Sequence, residues 1–178
     1  MICDQLKVCV EKQLAGESLK KCKNKTSKCV DSADQRSKVA CGEKSKKYVL
    51  DNTQKRTVLS YKMDGGIIVM DKTVPPETQK CDYLYVIEEE KPEVILIELK
   101  GTDVAHSLKQ MDGTLEQFRD FFEGMSHIYG RVVVTSFAPK LLADPSYAKL
   151  KKKLKRYNGN LKIRERQLVE KDTELKNG

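Results

Sequence analysis

Three charged residues stand at the ends of two apolar segments in the middle of the chain. Asp82 lies near the start of the segment CDYLYVI, and Glu98 and Lys100 lie at the end of the segment VILIELK. Both segments have the β-branched and aromatic composition that is typical of strands. The polar stretch 88–93 joins them, so the sequence predicts a β-hairpin that carries two carboxylates and an ammonium group near one end.

The register of this hairpin decides whether the carboxylates meet. If the connection is centred near Glu90, antiparallel partners have residue numbers that sum to about 180, and Asp82 lies opposite Glu98. Directly opposed residues point to the same face, with Cβ atoms about 4.5–5.5 Å apart. Because side chains alternate along a strand, Lys100 shares the face of Glu98. A slip of one residue would send Asp82 to the other face.

Two close carboxylates beside apolar residues need compensation, because buried charge is costly. Lys100 offsets one charge, and a divalent cation would offset more, since Mg²⁺ binds through one or two carboxylates and keeps several waters. Such a cation stabilises a phosphoryl oxygen and lowers the pKa of a bound water. Lys100 would then orient or deprotonate that water, or stabilise the phosphate. The alternative is an ordinary carboxylate–lysine pair at a solvent-facing strand end.

The order of these elements resembles that of the PD-(D/E)xK nuclease superfamily. The resemblance rests on an Asp on one strand (KCDYL), a hairpin, an apolar strand that ends in Glu-x-Lys (ILIELKG) and a long amphipathic helix. It spans roughly residues 36–165. The full form of the family's first motif has Pro before the Asp, where this chain has Cys81. The fold class implied is α/β, with a restriction-endonuclease-like core in which helices flank both faces of a central mixed β-sheet.

The resemblance implies metal-dependent hydrolysis of phosphodiester bonds in nucleic acid. It favours an endonuclease that acts on DNA with Mg²⁺ or Mn²⁺. Asp82 and Glu98 match the metal-binding acids, the backbone carbonyl of Leu99 would be a further ligand, and Lys100 matches the catalytic lysine. Many members add an acid from a helix that precedes the sheet. Glu43, in a segment over 36–50 that we expect to be helical, is the best-placed candidate.

Two further polar residues have two interpretations each. Asp64, in an Asp-Gly-Gly sequence, is either an additional metal ligand or an ordinary turn residue. Gln110 follows Lys100 on the amphipathic helix and either touches a phosphate, supports the site or is a surface glutamine.

The net charge of +8 is unevenly distributed. Residues 1–60 carry +7, residues 61–120 carry −6 and residues 121–178 carry +7. An acidic centre between basic ends agrees with a protein that binds a polyanion at its edges and a cation at its centre. Much of the acidity, however, lies in the polar stretch 88–93, where it would simply be solvated.

Two basic segments are candidates for nucleic-acid contact. The first is the helical run KLKKKLKR, whose candidate contact residues are Lys151, Lys152, Lys153, Lys155 and Arg156. A solvated helix face is the alternative. Residues 20–28 would form a second basic arm. Phosphate contacts of this kind supply salt-dependent affinity without sequence specificity. They therefore leave open whether the substrate is DNA or RNA.

A length of 178 residues fits one domain. We divide it into an N-terminal helical, basic and Cys-rich extension (1–35), a nuclease-like domain (36–166) and a flexible C-terminal tail (167–178). Apolar periodicity predicts further helices over 1–15, 104–125 and 147–157, and strands over 57–61, 67–70, 131–137 and 161–163.

Five of the six cysteines lie in the first 41 residues, but their spacing does not match a zinc site. We therefore expect free thiols in a reducing compartment, with structural zinc as the alternative. No apolar run approaches the ~18 residues of a membrane span, and residues 1–20 lack the apolar stretch of a signal peptide. A cytoplasmic protein is expected.

Two other classes of function remain open at this point. One is a catalytically silent nucleic-acid-binding module on the same fold, and the other is an adaptor for an acidic partner that binds no nucleic acid. A nuclease that cuts both strands of a duplex often uses two active sites, so a homodimer is a plausible arrangement.

Overall fold

A computed structural model describes residues 2–17, 30–67, 77–136 and 139–178. Their helices are α1 (Ile2–Leu14), α2 (Val104–Gln117), α3 (Arg119–Phe122) and α4 (Pro145–Arg156). Their strands are β1 (Val30–Asp34), β2 (Lys38–Glu43), β3 (Lys46–Asp51), β4 (Val58–Lys62), β5 (Tyr83–Ile87), β6 (Glu93–Lys100), β7 (His127–Val134), β8 (Leu161–Glu165) and β9 (Gln167–Lys171). A short π-helical turn covers Met63–Ile67, and single 3-10 turns cover Pro139–Ala143 and Asp172–Glu174.

The larger sheet has six strands in the order β1-β4-β5-β6-β7-β8. Strands β1, β4, β5 and β6 pair in antiparallel fashion, whereas β6, β7 and β8 are parallel. The parallel strands are joined by α2 with α3 and by α4, as crossover connections require. The predicted α/β class with a mixed sheet is therefore confirmed. Strand β6 is buried from Glu93 to Leu99, as expected of a central strand covered on both faces.

The two faces of this sheet are covered differently. Leu96 packs in one core with Leu108 of α2 and Leu154 of α4. Ile97, which points the other way, packs in a second core with Tyr48 of β3 and Leu168 of β9. That second layer is a small sheet in the order β2-β3-β9. The expectation of helices on both faces is wrong in this respect, because the described α-helices contribute to the first core and a β-sheet covers the other face.

The segment over 36–50 is a hairpin of β2 and β3 and not the helix that we expected. Its buried residues Val39 and Cys41 alternate with exposed ones, which is the period of a strand. The chain turns at Lys44, whose φ of 54° lies in the left-handed region. Glu43 therefore stands at the end of a strand.

The C-terminal segment 167–178 is ordered by pairing, although the sequence suggested a flexible tail. Strand β9 runs parallel to β3, and Leu168 and Leu175 are buried in the second core. Glu170 of β9 accepts hydrogen bonds from Tyr48 Oη (2.9 Å) and from the fully buried Arg131. These long-range partners stabilise a segment whose own composition is mostly polar. At the other end, β1 belongs to the large sheet although it falls within 1–35.

The other helix predictions agree well with the structure. Leu6 and Val10 are buried on α1, and Leu150 and Leu154 are buried on α4. The long apolar stripe over 104–125 is divided between α2 and α3, which meet at Phe118.

Some expectations fall on residues that are not described. The predicted strand 67–70 lies outside the described residues except for Ile67, which ends the π-helical turn. The basic arm over 20–28 lies outside them entirely. Across the described ranges, none of the helices has the length and apolarity that a membrane crossing requires.

Helix α2 approaches the chain before β5 very closely at Gly113. A Cβ atom added there would lie 2.7 Å from Gln79 Cβ and 2.9 Å from the Gln79 carbonyl oxygen. Gly113 is unfavourable within a helix by about 1 kcal/mol, so this close approach explains its presence.

We predict that Gly113→Ala destabilises the protein by about 1–3 kcal/mol despite the higher helix propensity of Ala, because the helix and the chain at Gln79 must separate. Urea denaturation measures the change. Gly124→Ala is the matched control, since the nearest atom to its added Cβ is 3.8 Å away. Equal stability of the two variants would contradict the prediction.

Candidate active site

The β5–β6 hairpin has the predicted register. Its paired residues run from Ile87 with Glu93 to Tyr83 with Ile97, and each pair of numbers sums to 180. Beyond Tyr83 the chain bends, and the N–H of Asp82 donates to the Ile97 carbonyl oxygen (3.1 Å). The bend ends the regular ladder just before the site and leaves the Asp82 side chain beside the end of β6.

The Asp82 carboxylate takes the place of a backbone acceptor. Its Oδ2 accepts a hydrogen bond from the Leu99 N–H at 2.7 Å. Burial raises the pKa of Asp82, the Leu99 N–H opposes that rise, and the negative charges of Glu43 and Asp64 add to it. Asp82 is therefore fixed by β6 and lies within electrostatic reach of two further acids.

Glu98 is the most unusual group in the site. It is 1% exposed, and its Oε2 atom has no hydrogen-bond partner. Burial, followed by the negative charge of Asp82, raises the pKa of Glu98 to about 9, against an opposing effect of Lys100. Buried polar atoms are nearly always paired, so an unpaired carboxylate oxygen points to a partner such as a cation.

Lys100 completes this group as the last residue of β6. It is half-buried, and its positive charge lowers the pKa values of both Asp82 and Glu98. The three residues that the sequence singled out are thus brought together at the end of one strand pair.

The donor set fits a magnesium ion. The carboxylates of Asp82 and Glu98, the latter with an unpaired oxygen, match the one or two carboxylates through which Mg²⁺ binds to proteins, with water completing its shell. Leu99 directs its N–H towards Asp82, and a strand residue directs its N–H and C=O to the same neighbour, so its carbonyl also faces the β5 side. Among the described residues, no three His, Cys, Asp or Glu side chains form a ready-made metal cluster.

The chain just before Asp82 is held by α2. The Cys81 N–H donates to Thr114 Oγ1 (2.7 Å), and Gln110 Nε2 donates to the Lys80 carbonyl oxygen (3.2 Å). Gln110 therefore supports the site through the backbone. Thr114 has the same role and was not singled out from the sequence, because its partner lies 33 positions away and no local pattern marks it.

Glu43 and Asp64 also lie near the centre. Glu43, exposed at the end of β2, raises the pKa of Asp82 through its charge, and Asp64 raises the pKa values of both Asp82 and Glu98. Asp64 lies in the π-helical turn and pairs with Lys80 Nζ at 3.6 Å. Both candidate acids thus lie within electrostatic reach of Asp82, and Glu43 comes from a strand.

The basic residues of α4 are of two kinds. Lys153 pairs with Asp112 and Glu116 of α2, so it ties two helices together. The remaining candidates are exposed: Lys151, Lys152, Lys155 and Arg156.

The end of α4 is far from the carboxylates. The Ile128 N–H donates to the Tyr157 carbonyl oxygen, which places this end at the start of β7. Lys100 instead pairs with Val134 at the end of β7. Val134 lies six residues after Ile128 along the strand, a distance of about 20 Å. The structure therefore does not bring Lys155 and Arg156 to the site.

No family model, curated protein or solved structure matches the chain. The geometry of the charged groups around Asp82, Glu98 and Lys100 is thus the observation on which a functional proposal can rest. These groups combine carboxylates for a hard cation with one ammonium that can stabilise a developing negative charge.

We predict that Glu98→Gln stabilises the protein in metal-free buffer at pH 7, by about 1–3 kcal/mol, because Glu98 must take up a proton when the chain folds at this pH and the amide need not. The folded pKa of about 9 lies above the ordinary value of 4.5. The folded state therefore holds the extra proton between these values, and the stability of the wild type falls as pH rises through this window.

Thermal denaturation across pH 5–9 in EDTA measures the effect. Glu90→Gln, in the exposed turn between β5 and β6, is the control and leaves both stability and its pH dependence unchanged. A Glu98→Gln variant that is less stable than the wild type at pH 7 would contradict the assignment of Glu98 as a strained buried acid.

Proposed function

We propose that the chain is a Mg²⁺- or Mn²⁺-dependent nuclease of the PD-(D/E)xK type, with a restriction-endonuclease-like core, which hydrolyses phosphodiester bonds and preferentially those of DNA. The observation that carries the proposal is the unpaired, buried Glu98 oxygen beside Asp82 and Lys100. A buried, unpaired carboxylate next to a second carboxylate is unfavourable for folding, and a bound cation would compensate for it.

Asp82, Glu98 and the Leu99 carbonyl would hold the metal. When bound, Mg²⁺ supplies charge stabilisation at a phosphoryl oxygen and lowers the pKa of its water. The Leu99 N–H keeps Asp82 oriented, since it is bonded to one carboxylate oxygen at 2.7 Å. Lys100 stabilises the negative charge that develops on the phosphate or orients the attacking water.

The surrounding residues fit the same proposal. Glu43 is a further candidate ligand, and the second sheet carries it to the edge where Asp82 lies. The exposed basic residues of α4 would contact the phosphate backbone at a distance from the cleaved bond. Two copies of the chain would present two sites to the two strands of a duplex, which favours a homodimer. The free, buried thiols of Cys41 and Cys81 agree with a reducing, cytoplasmic compartment.

We predict that the full chain cleaves nucleic acid in Mg²⁺ but not in EDTA. Glu98→Gln and Lys100→Met each lower the cleavage rate by about 100-fold or more, because each removes a group that stabilises charge in the transition state. The assay follows labelled duplex DNA, single-stranded DNA and RNA on one gel.

Glu90→Gln and Lys91→Met are the matched controls, since they make the same chemical changes in the exposed turn at the other end of the hairpin. Both keep wild-type activity. If the wild type binds nucleic acid but shows no Mg²⁺-dependent turnover, the chain is instead the silent binding module. If Glu98→Gln cleaves as fast as the wild type, the assigned site is wrong.

A further inference from the structure

A basic cavity of about 400 Å³ opens beside the candidate active site. The turn between β2 and β3 forms one side of it, and the turn between β8 and β9 forms the other. The two turns are joined by a hydrogen bond from the Lys47 N–H to the Arg166 carbonyl oxygen at 2.9 Å. The lining includes four cationic side chains, which belong to Lys44, Lys46, Lys47 and Arg166.

Lys46 is the distinctive group in this lining. It is 6% exposed, yet its ammonium has no ion pair or hydrogen bond to any residue in the described ranges. Glu43 stands opposite Lys46 in the register of the hairpin, but the two side chains form no salt bridge. The aliphatic part of Lys46 is buried, and its Nζ reaches the open space of the cavity, where an anion can bind it.

One residue in each of the two turns beside the cavity has an unusual backbone conformation. Lys44 and Arg166 have φ values of 54° and 61°, which is the left-handed region that side-chain-bearing residues rarely adopt. The Arg166 N–H donates to the Val134 carbonyl oxygen at 2.7 Å. Arg166 is thereby fixed to the end of β7 while its side chain stays exposed.

The cavity lies at the same edge of the large sheet as the carboxylates. Val134 pairs with Lys100 on one side and with Glu165 on the other. Two strand spacings, about 10 Å, therefore separate the backbone of Lys100 from the β8 end that leads to Arg166. Glu43, next to the cavity, is close enough to Asp82 to raise its pKa. A nucleic-acid strand advances about 3.4 Å per nucleotide, so this distance corresponds to about three nucleotides.

We propose that this cavity binds a backbone phosphate of the nucleic-acid substrate, a few nucleotides from the bond that is cleaved, with Lys46 as the central contact. The inference rests on the proposed nuclease function and deepens it. The acidic cluster around Asp82 and Glu98 repels a polyanion in the absence of metal. The cavity supplies an attractive site two strands away and thereby fixes the strand across the edge of the sheet.

The test measures binding by fluorescence anisotropy of the full chain in EDTA, where no cleavage occurs. The probes are short fluorescein-labelled duplex DNA, single-stranded DNA and RNA over a series of NaCl concentrations. Lys46→Met raises the Kd for the bound probe about tenfold, and it lowers the slope of log Kd against log salt by about 1. Lys47→Gln, on the exposed rim of the cavity, raises the Kd about threefold.

Lys38→Met is the matched control. Lys38 lies on the same hairpin at the end away from the cavity, and its side chain is 72% exposed. The Kd of the Lys38→Met variant stays within about twofold of the wild-type value. The folding of Lys46→Met is checked by its thermal midpoint, which stays close to that of the wild type because Met keeps the buried apolar part of the side chain.

The outcomes separate the two proposals. If the wild type binds a probe and Lys46→Met binds it with the same Kd and salt slope, the cavity proposal is overturned, whatever the cleavage assay shows. Lys46-dependent binding without Mg²⁺-dependent cleavage supports the cavity and overturns the nuclease. No binding to any of the three probes overturns the cavity proposal, and the cleavage assay then decides on the nuclease separately.

Discussion

The hydrogen bond from the Leu99 N–H to the Asp82 carboxylate joins the two strand ends on which the site depends. The regular pairing of β5 with β6 stops at Tyr83, and the bend that follows turns Asp82 towards β6. Helix α2 makes this bend possible, because Thr114 accepts the Cys81 N–H and Gly113 lets the helix approach Gln79. Asp82 is thus held from two sides. Glu98 and Lys100 share one face of β6 because side chains alternate along a strand.

The carboxylates of the candidate active site destabilise the folded state. Burial and the neighbouring carboxylate leave Glu98 with a pKa of about 9 and an oxygen without a partner. Lys46, at the same edge of the sheet, reaches the basic cavity with its ammonium and has no anionic partner among the described residues. Proteins keep an unfavourable group such as Glu98 mainly where function uses it. An acidic centre and a basic cavity two strands apart are suited to a metal ion and to the phosphate chain that it acts on.

The sequence predicted what depends on local pattern. The hairpin register followed from the polar turn and the alternation around it, and the stripe of α2 followed from its spacing. Pairing between distant segments was not predictable. Strand β9 pairs with β3 about 120 positions away, so part of the expected tail belongs to a sheet. The expected helix that contains Glu43 is instead the hairpin of β2 and β3. Lys153 of α4 forms ion pairs with Asp112 and Glu116 of α2. This contact between two helices could not be predicted from the sequence of α4 alone.

Direct titration of the full chain with Mn²⁺, followed by calorimetry, tests the central claim without depending on which nucleic acid is the substrate. The account predicts a saturable site with one Mn²⁺ per chain that is lost in Asp82→Asn and in Glu98→Gln and retained in Glu90→Gln. Equal Mn²⁺ binding by the wild type and by both site variants would contradict it, because the cation would then be held by other residues.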